Sequence, residues 1–93
     1  LSIKSFKCKD TKALFDGKRV KRWVNVERPA LRKLAQLDWS EVLEDFKVPP
    51  GNSLEALKAD RKGQHSIRIN DQWRVCFVWT QEGPSDVEIV DYH

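Results

Sequence analysis

Residues 48–52 read Val48-Pro49-Pro50-Gly51-Asn52, and the spacing of apolar residues changes across that break. Before it, Leu31, Leu34, Ala35 and Leu37 recur at the three- and four-residue intervals of one helix face. After it, Trp73, Val75, Phe77 and Trp79 alternate with Arg74, Cys76 and Val78, the two-residue period of a strand. Two prolines and a glycine in succession continue neither pattern. The helical and strand-forming parts are therefore separate blocks. Grouped helices followed by grouped strands predict an α+β fold with the helices covering one sheet face.

The spacing fills in the blocks. Ile3 and Phe6 among Ser5, Lys4 and Lys7 suggest a short first strand over 2–7. Asp10-Thr11 can cap a short helix that ends near Gly17. Asn25 and Pro29 suit the start of a longer helix through Asp38, and Trp39 to Phe46 suggests a further helical turn or two. Three hairpin-linked strands follow over 66–69, 72–80 and 87–92, with turns at Asn70-Asp71 and Glu82-Gly83-Pro84. The aromatic face of 72–80 should meet the helices. Arg74 is then left on the other, more open face. A cation in mid-strand needs a reason: an ion pair with Glu55, Asp60 or Glu88, or a phosphate held on the sheet.

At 93 residues the chain is expected to form one domain, residues 1–93. A domain of this size buries only about 60–65% of its unfolded surface, so an active site would be an open face or shallow groove, which suits a polymeric substrate. With 40% hydrophobic and 33% charged residues the composition excludes a disordered chain. No apolar run reaches the roughly 18–20 residues that span a membrane, and no signal peptide is visible. The expected setting is cytoplasmic, without membrane attachment. Cys8 and Cys76 lack metal-site spacing and read as reduced thiols, Cys76 as a small buried filler. His65 and His93 are too far apart in sequence to suggest a zinc site; His65 matches no motif and reads as a surface residue. No metal or other cofactor is expected. Charge is unevenly spread: residues 1–33 carry eleven Lys/Arg against three Asp/Glu, and residues 34–93 six against eleven. A basic front third can attract phosphate backbones or dock on an acidic protein. Within it, Lys18-Arg19-Val20-Lys21-Arg22-Trp23 either presents an aromatic to nucleic acid or buries Trp23 in the core.

Taken as a set, Leu54-Glu55-Ala56-Leu57-Lys58-Ala59-Asp60-Arg61-Lys62-Gly63, Ser66-Ile67-Arg68-Ile69-Asn70, Gln72-Trp73-Arg74-Val75 and the closing Asp91-Tyr92-His93 resemble the HigB branch of the RelE/ParE toxin superfamily. The opening Ile3-Lys4-Ser5-Phe6 fits as well, so the resemblance covers nearly the whole chain. It implies a compact α+β domain with an N-terminal strand and helices packed on an antiparallel-dominated sheet. It also implies metal-independent cleavage of mRNA on the ribosome, which inhibits translation and growth. The implied partner is a HigA-type DNA-binding antitoxin, with operator DNA met only through the antitoxin complex.

Such cleavage uses the ribose 2′-hydroxyl as nucleophile and needs a base, an acid, and cations around the phosphate. Arg74 is the first choice for the phosphate, because a guanidinium stays charged and can grip two oxygens. Arg68 and Arg61 are substrate-binding helpers; Arg61 reads equally well as a surface residue of its turn. Lys58 lies where similar toxins place a catalytic lysine. His93 is the natural acid or base. Asp91 would orient it or serve as base, and Tyr92 would stack on a base or hydrogen-bond the substrate. Some members of the branch carry histidine where this chain has Glu55, so Glu55 is counted with the substrate-binding set. A ParE-like gyrase inhibitor or a non-catalytic RNA-binding module are the alternatives, and neither needs the Asp91-Tyr92-His93 end together with Lys58 and Arg74.

Overall fold

A computed structural model describes residues 1–91. Two α-helices, α1 (Lys9–Phe15) and α2 (Glu27–Trp39), precede four strands, β1 (Glu55–Ala56), β2 (His65–Arg68), β3 (Trp73–Thr80) and β4 (Gly83–Asp91). The strands form one sheet in the order β1-β2-β3-β4, every neighbouring pair antiparallel. This is the α+β arrangement expected from the sequence, with a short additional strand at 55–56.

Helix α1 ends where the sequence suggested. Gly17, at φ 93°, donates to the Leu14 carbonyl while Lys18 donates to Ala13, the paired bonds of a glycine-terminated helix. Thr11 does not cap the helix. It is buried, and its hydroxyl accepts the Ile89 amide at 3.1 Å, tying α1 to β4. Helix α2 starts at Glu27, because Asn25 lies inside a 3-10 helix over Lys21–Val26. It stops at Trp39, where Ser40 turns extended and its hydroxyl donates to the Leu37 carbonyl. The turns anticipated up to Phe46 are a second 3-10 helix, Leu43–Lys47.

The core lies between the helices and one face of the sheet. Leu14, Trp23, Leu34, Leu37 and Phe46 meet Ile67, Val75, Phe77, Val87 and Ile89, all essentially solvent-free. Trp23 therefore packs inward, edge-on to Trp73 at 6.0 Å, with Arg22 over its ring; it is not a platform for a nucleobase. His65 is half-buried rather than a surface residue, stacked on Phe77 across the β2–β3 ladder.

The N-terminal segment pairs with β4 through a single parallel bridge, Phe6 to Val87, rather than as a strand over 2–7. Ile3 donates instead to the Asp38 carboxylate on α2. On the β4 side the register slips between Cys76 and Val78, with Asp86 in the left-handed region at φ 50°, a bulge that bends the strand. Asp86 donates its amide to the Ser5 hydroxyl, and Val87 donates to the Ser5 carbonyl. Together with Thr11, this segment covers the backbone edge of β4, which would otherwise invite pairing with another chain.

Asn52 ties the 46–52 connection to α2. Fully buried, it donates to the Phe46 carbonyl and the Gln36 side chain and accepts from Lys33. Removing those partners leaves buried polar groups unmatched. Asn52→Ala is expected to lower stability by about 2–3 kcal/mol, read by urea denaturation against the parent. A loss below about 0.5 kcal/mol, the level of an ordinary surface change, would show that the connection holds without it.

Candidate active site

Directly opposed residues in an antiparallel ladder project to the same sheet face. The register sets Glu55 opposite Ser66, Ser66 opposite Cys76 and Cys76 opposite Glu88, and one step along, Arg68 opposite Arg74 opposite Val90. This row faces away from the helices. It gathers Glu55, Arg68 and Arg74 from the sequence-based set on one surface.

Arg74 is 8% exposed, so its face is less open than the alternation implied. The 53–64 segment folds over it. Ser53, at φ 46°, turns its carbonyl toward the guanidinium and accepts from Nη2 at 2.5 Å. Nε donates to the Ser66 hydroxyl at 2.8 Å, and Glu55 lies 3.9 Å from Nη2. Neutral oxygens of Ser53 and Ser66, the Ser66 carbonyl included, and the half-exposed Glu55 carboxylate hold the cation in a fixed orientation. Of the three carboxylates considered for an ion pair, Glu55 is the one seen here. Arg68 is tied to the hairpin, donating to Asp71 and to the Asn70 carbonyl.

Arg61 reaches across the same face. Its Nη1 donates to Glu88 at 2.9 Å and to Gln64 at 3.1 Å. Lys58 is exposed and lines a shallow depression of about 360 Å³ with Lys7, Asp60, Arg61 and Gln64. The turn that shapes it holds Ala59 at φ 56° and Gly63 at φ 95°. A left-handed alanine carries strain, which accumulates where side-chain placement matters. Asp91 falls outside this grouping: it sits opposite Trp73, out of phase with Arg74, and accepts from Gln72 at 3.0 Å. Tyr92 and His93 lie outside the described residues.

Ser53, Ser66, Lys7 and Gln64 belong to this surface without having been marked in the sequence, and Glu88, considered as a partner for Arg74, pairs with Arg61 instead. Ser66 was reachable, since it shares the parity of Arg68 and the Asn70-Asp71 turn opposes that strand to Arg74. Lys7 carried no signal, because its position depends on the β4 bulge.

Cys76 forms the floor between the two cationic groups. Burial pushes its thiol up from the usual value, opposed by the charges of Arg61, Arg74 and Lys7. The folded protein keeps a proton that the unfolded chain loses, so this contribution is full below about pH 8.5 and declines as pH rises beyond it. Two results are expected: stability in urea falls from pH 8 to pH 10 less steeply in Cys76→Ala than in the parent, and iodoacetamide labels half-buried Cys8 well before Cys76. Equal labelling rates in the native protein would refute the buried-floor placement.

Residues 4–93 match the family model described as the RelE-like toxin of type II toxin–antitoxin system HigB. Among curated proteins, Toxin HigB-1 of Vibrio cholerae is 42% identical over 55 residues, covering 59% of this chain and 58% of the relative. An uncharacterized protein of Haemophilus influenzae is 36% identical over 53 residues, covering 57% of this chain and 52% of the relative. The matches thus span little more than half the length of these relatives.

Proposed function

The chain belongs to the HigB-like family of RelE-like toxins of type II toxin–antitoxin systems, and from that premise we propose that residues 1–93 act as a single toxin domain, a ribosome-dependent mRNA endoribonuclease. The observation that carries the reading is the buried, pre-oriented Arg74 guanidinium beside Glu55, on the same sheet face as Arg68 and the Lys58–Arg61 depression.

In this reaction the 2′-oxygen of one ribose attacks the adjoining phosphorus and the bond from phosphorus to the 5′-oxygen breaks. The products are a 2′,3′-cyclic phosphate and a 5′-hydroxyl. The proton leaving the 2′-hydroxyl passes to a base, and an acid protonates the departing 5′-oxygen. Arg74 stabilises the extra negative charge on the pentacoordinate phosphorus. A cation already fixed by Ser53 and Ser66 does this without reorganising at the moment of reaction. Lys58 adds a second positive charge from the depression, and Arg68 and Arg61 hold flanking backbone. Glu55 and His93 carry the proton transfers, with Asp91 and Tyr92 placing the terminal histidine and the substrate base. Every component comes from side chains and from RNA, so no cofactor enters.

Among the described residues no helix is long and apolar enough to cross a membrane, in keeping with a cytoplasmic setting on ribosomes. A type II toxin implies an antitoxin. We assign that part to a HigA-type DNA-binding protein, with operator DNA bound only through the complex.

Primer extension on a defined mRNA in a purified translation system tests the proposal. The parent should cut only when ribosomes are present. Arg74→Ala should lower the cleavage rate by about 10²–10³-fold, and His93→Ala by about 10²–10⁴-fold, with circular dichroism confirming that both fold. Growth arrest by the parent without mRNA cuts would defeat the nuclease reading in favour of a gyrase poison on the same fold.

A further inference from the structure

Lys7 reaches the candidate site from the opposite end of the chain. Phe6 bridges to Val87 and turns to the core against Phe15, and the Lys7 amide donates to the Val87 carbonyl at 3.0 Å. The next side chain along an extended segment points the other way. Lys7 therefore extends over the site face, its ammonium 4.0 Å from Glu88. Glu88 accepts at the same oxygen from Arg61, so one carboxylate holds two cations from distant segments at the rim of a single depression. Gln64 gives its carbonyl oxygen to Arg61, which leaves its NH2 end to donate. Among the described residues the lining offers ammonium, guanidinium and amide groups, with the Asp60 carboxylate beside them. Two kinds of cation and an amide donor suit a backbone phosphate.

We infer that Lys7, Arg61 and Gln64 form a second phosphate position, which binds the linkage next to the scissile one on the same RNA strand. The inference rests on the nuclease reading above. Glu88 shares the row of Cys76, two residues along β3 from Arg74 and one strand over. That is a backbone offset of about 7 Å along the strand and about 5 Å across it, short enough for one strand of RNA to reach both places. Three cations face two carboxylates, Glu88 and Asp60, around the depression. The position therefore orients a strand already delivered and does not capture free RNA. Lys7 is a substrate-positioning residue: it holds a phosphate that does not react.

The test uses the full-length toxin in the ribosomal cleavage assay, with mRNAs carrying one neutral methylphosphonate linkage on either side of the cut. Lys7→Ala should raise KM for mRNA-loaded ribosomes by about five- to tenfold and leave kcat within about twofold. It should also flatten the dependence of log(kcat/KM) on log salt by about 0.7. Lys7→Arg should restore KM, and Lys47→Ala, on the helix side, should change neither constant. One of the two neutral linkages should raise KM for the parent to a similar extent and add nothing in Lys7→Ala. A parent that cuts mRNA while Lys7→Ala behaves like it would overturn this position and leave the nuclease reading standing. An effect of Lys7→Ala that persists undiminished on both neutral linkages would move the contact to ribosomal RNA and overturn it equally. A parent that cuts nothing would sink both.

Discussion

Strand β3 has to satisfy an apolar environment and a charged one at alternate residues. Val75 and Phe77 close the core with Ile67, Ile89 and the helices, while Arg74 and Cys76 point the other way and are also buried. A buried guanidinium is costly unless its donors are met. The 53–64 segment meets them through the Ser53 carbonyl and the Glu55 carboxylate, and β2 adds the Ser66 hydroxyl. The second layer over the sheet is thus polar backbone and charged side chains rather than another hydrophobic core. A chain of 93 residues lacks the apolar material to cover both faces fully. The face it covers with polar groups is the one left able to meet a polyanion.

The β4 bulge extends this arrangement to the start of the chain. By slipping the register between Cys76 and Val78 and turning Asp86 left-handed, it bends β4 toward the N-terminal segment, whose backbone then covers the strand's edge. Phe6 goes to the core and Lys7 to the site face as one consequence of that pairing. Edge protection and site assembly therefore share a cause. A change that straightened β4 would expose a pairing edge and remove a cation from the depression together.

Much of this was legible in the sequence, for identifiable reasons. Alternation in 72–80 and the break at 48–52 are periodic signals that tertiary packing reinforced, so the block order and the two faces of β3 could be read directly. Arg74 stood out as a cation in mid-strand, and the Glu55 pairing that the structure shows was one of the reasons considered for it. Its partners were not all marked, because Ser53 acts through a backbone carbonyl in a left-handed turn and carbonyls leave no trace in composition. The short strand at 55–56 was unreadable because two residues carry no period. Asn52, fully buried and bonded to Lys33, Gln36 and Phe46, looked like one more polar residue in a turn. The 2–7 segment has strand-like alternation, but its amides are divided between α2 and β4, and no ladder forms.

The basic front third has a different meaning in three dimensions. Eleven Lys/Arg precede residue 34, and three of them are met locally, Lys12 by Asp16, Arg22 by Asp10 and Arg19 by Glu27. Exposed pairs of this kind contribute about 0–1 kcal/mol each, and they also blunt the field that would draw in a phosphate backbone. Of the front third, Lys7 is the residue that joins the depression at the site. The site's own cations, Arg74, Arg68, Arg61 and Lys58, come from residues 34–93, the stretch that is acidic in sum, and Glu55, Asp60, Asp71 and Glu88 lie among them. Such a surface orients phosphates that are already close better than it attracts them from solution. For a nuclease built on it, weak capture and firm orientation are two sides of one charge balance, and the substrate must be presented by something else. That requirement is what the proposed dependence on the ribosome supplies.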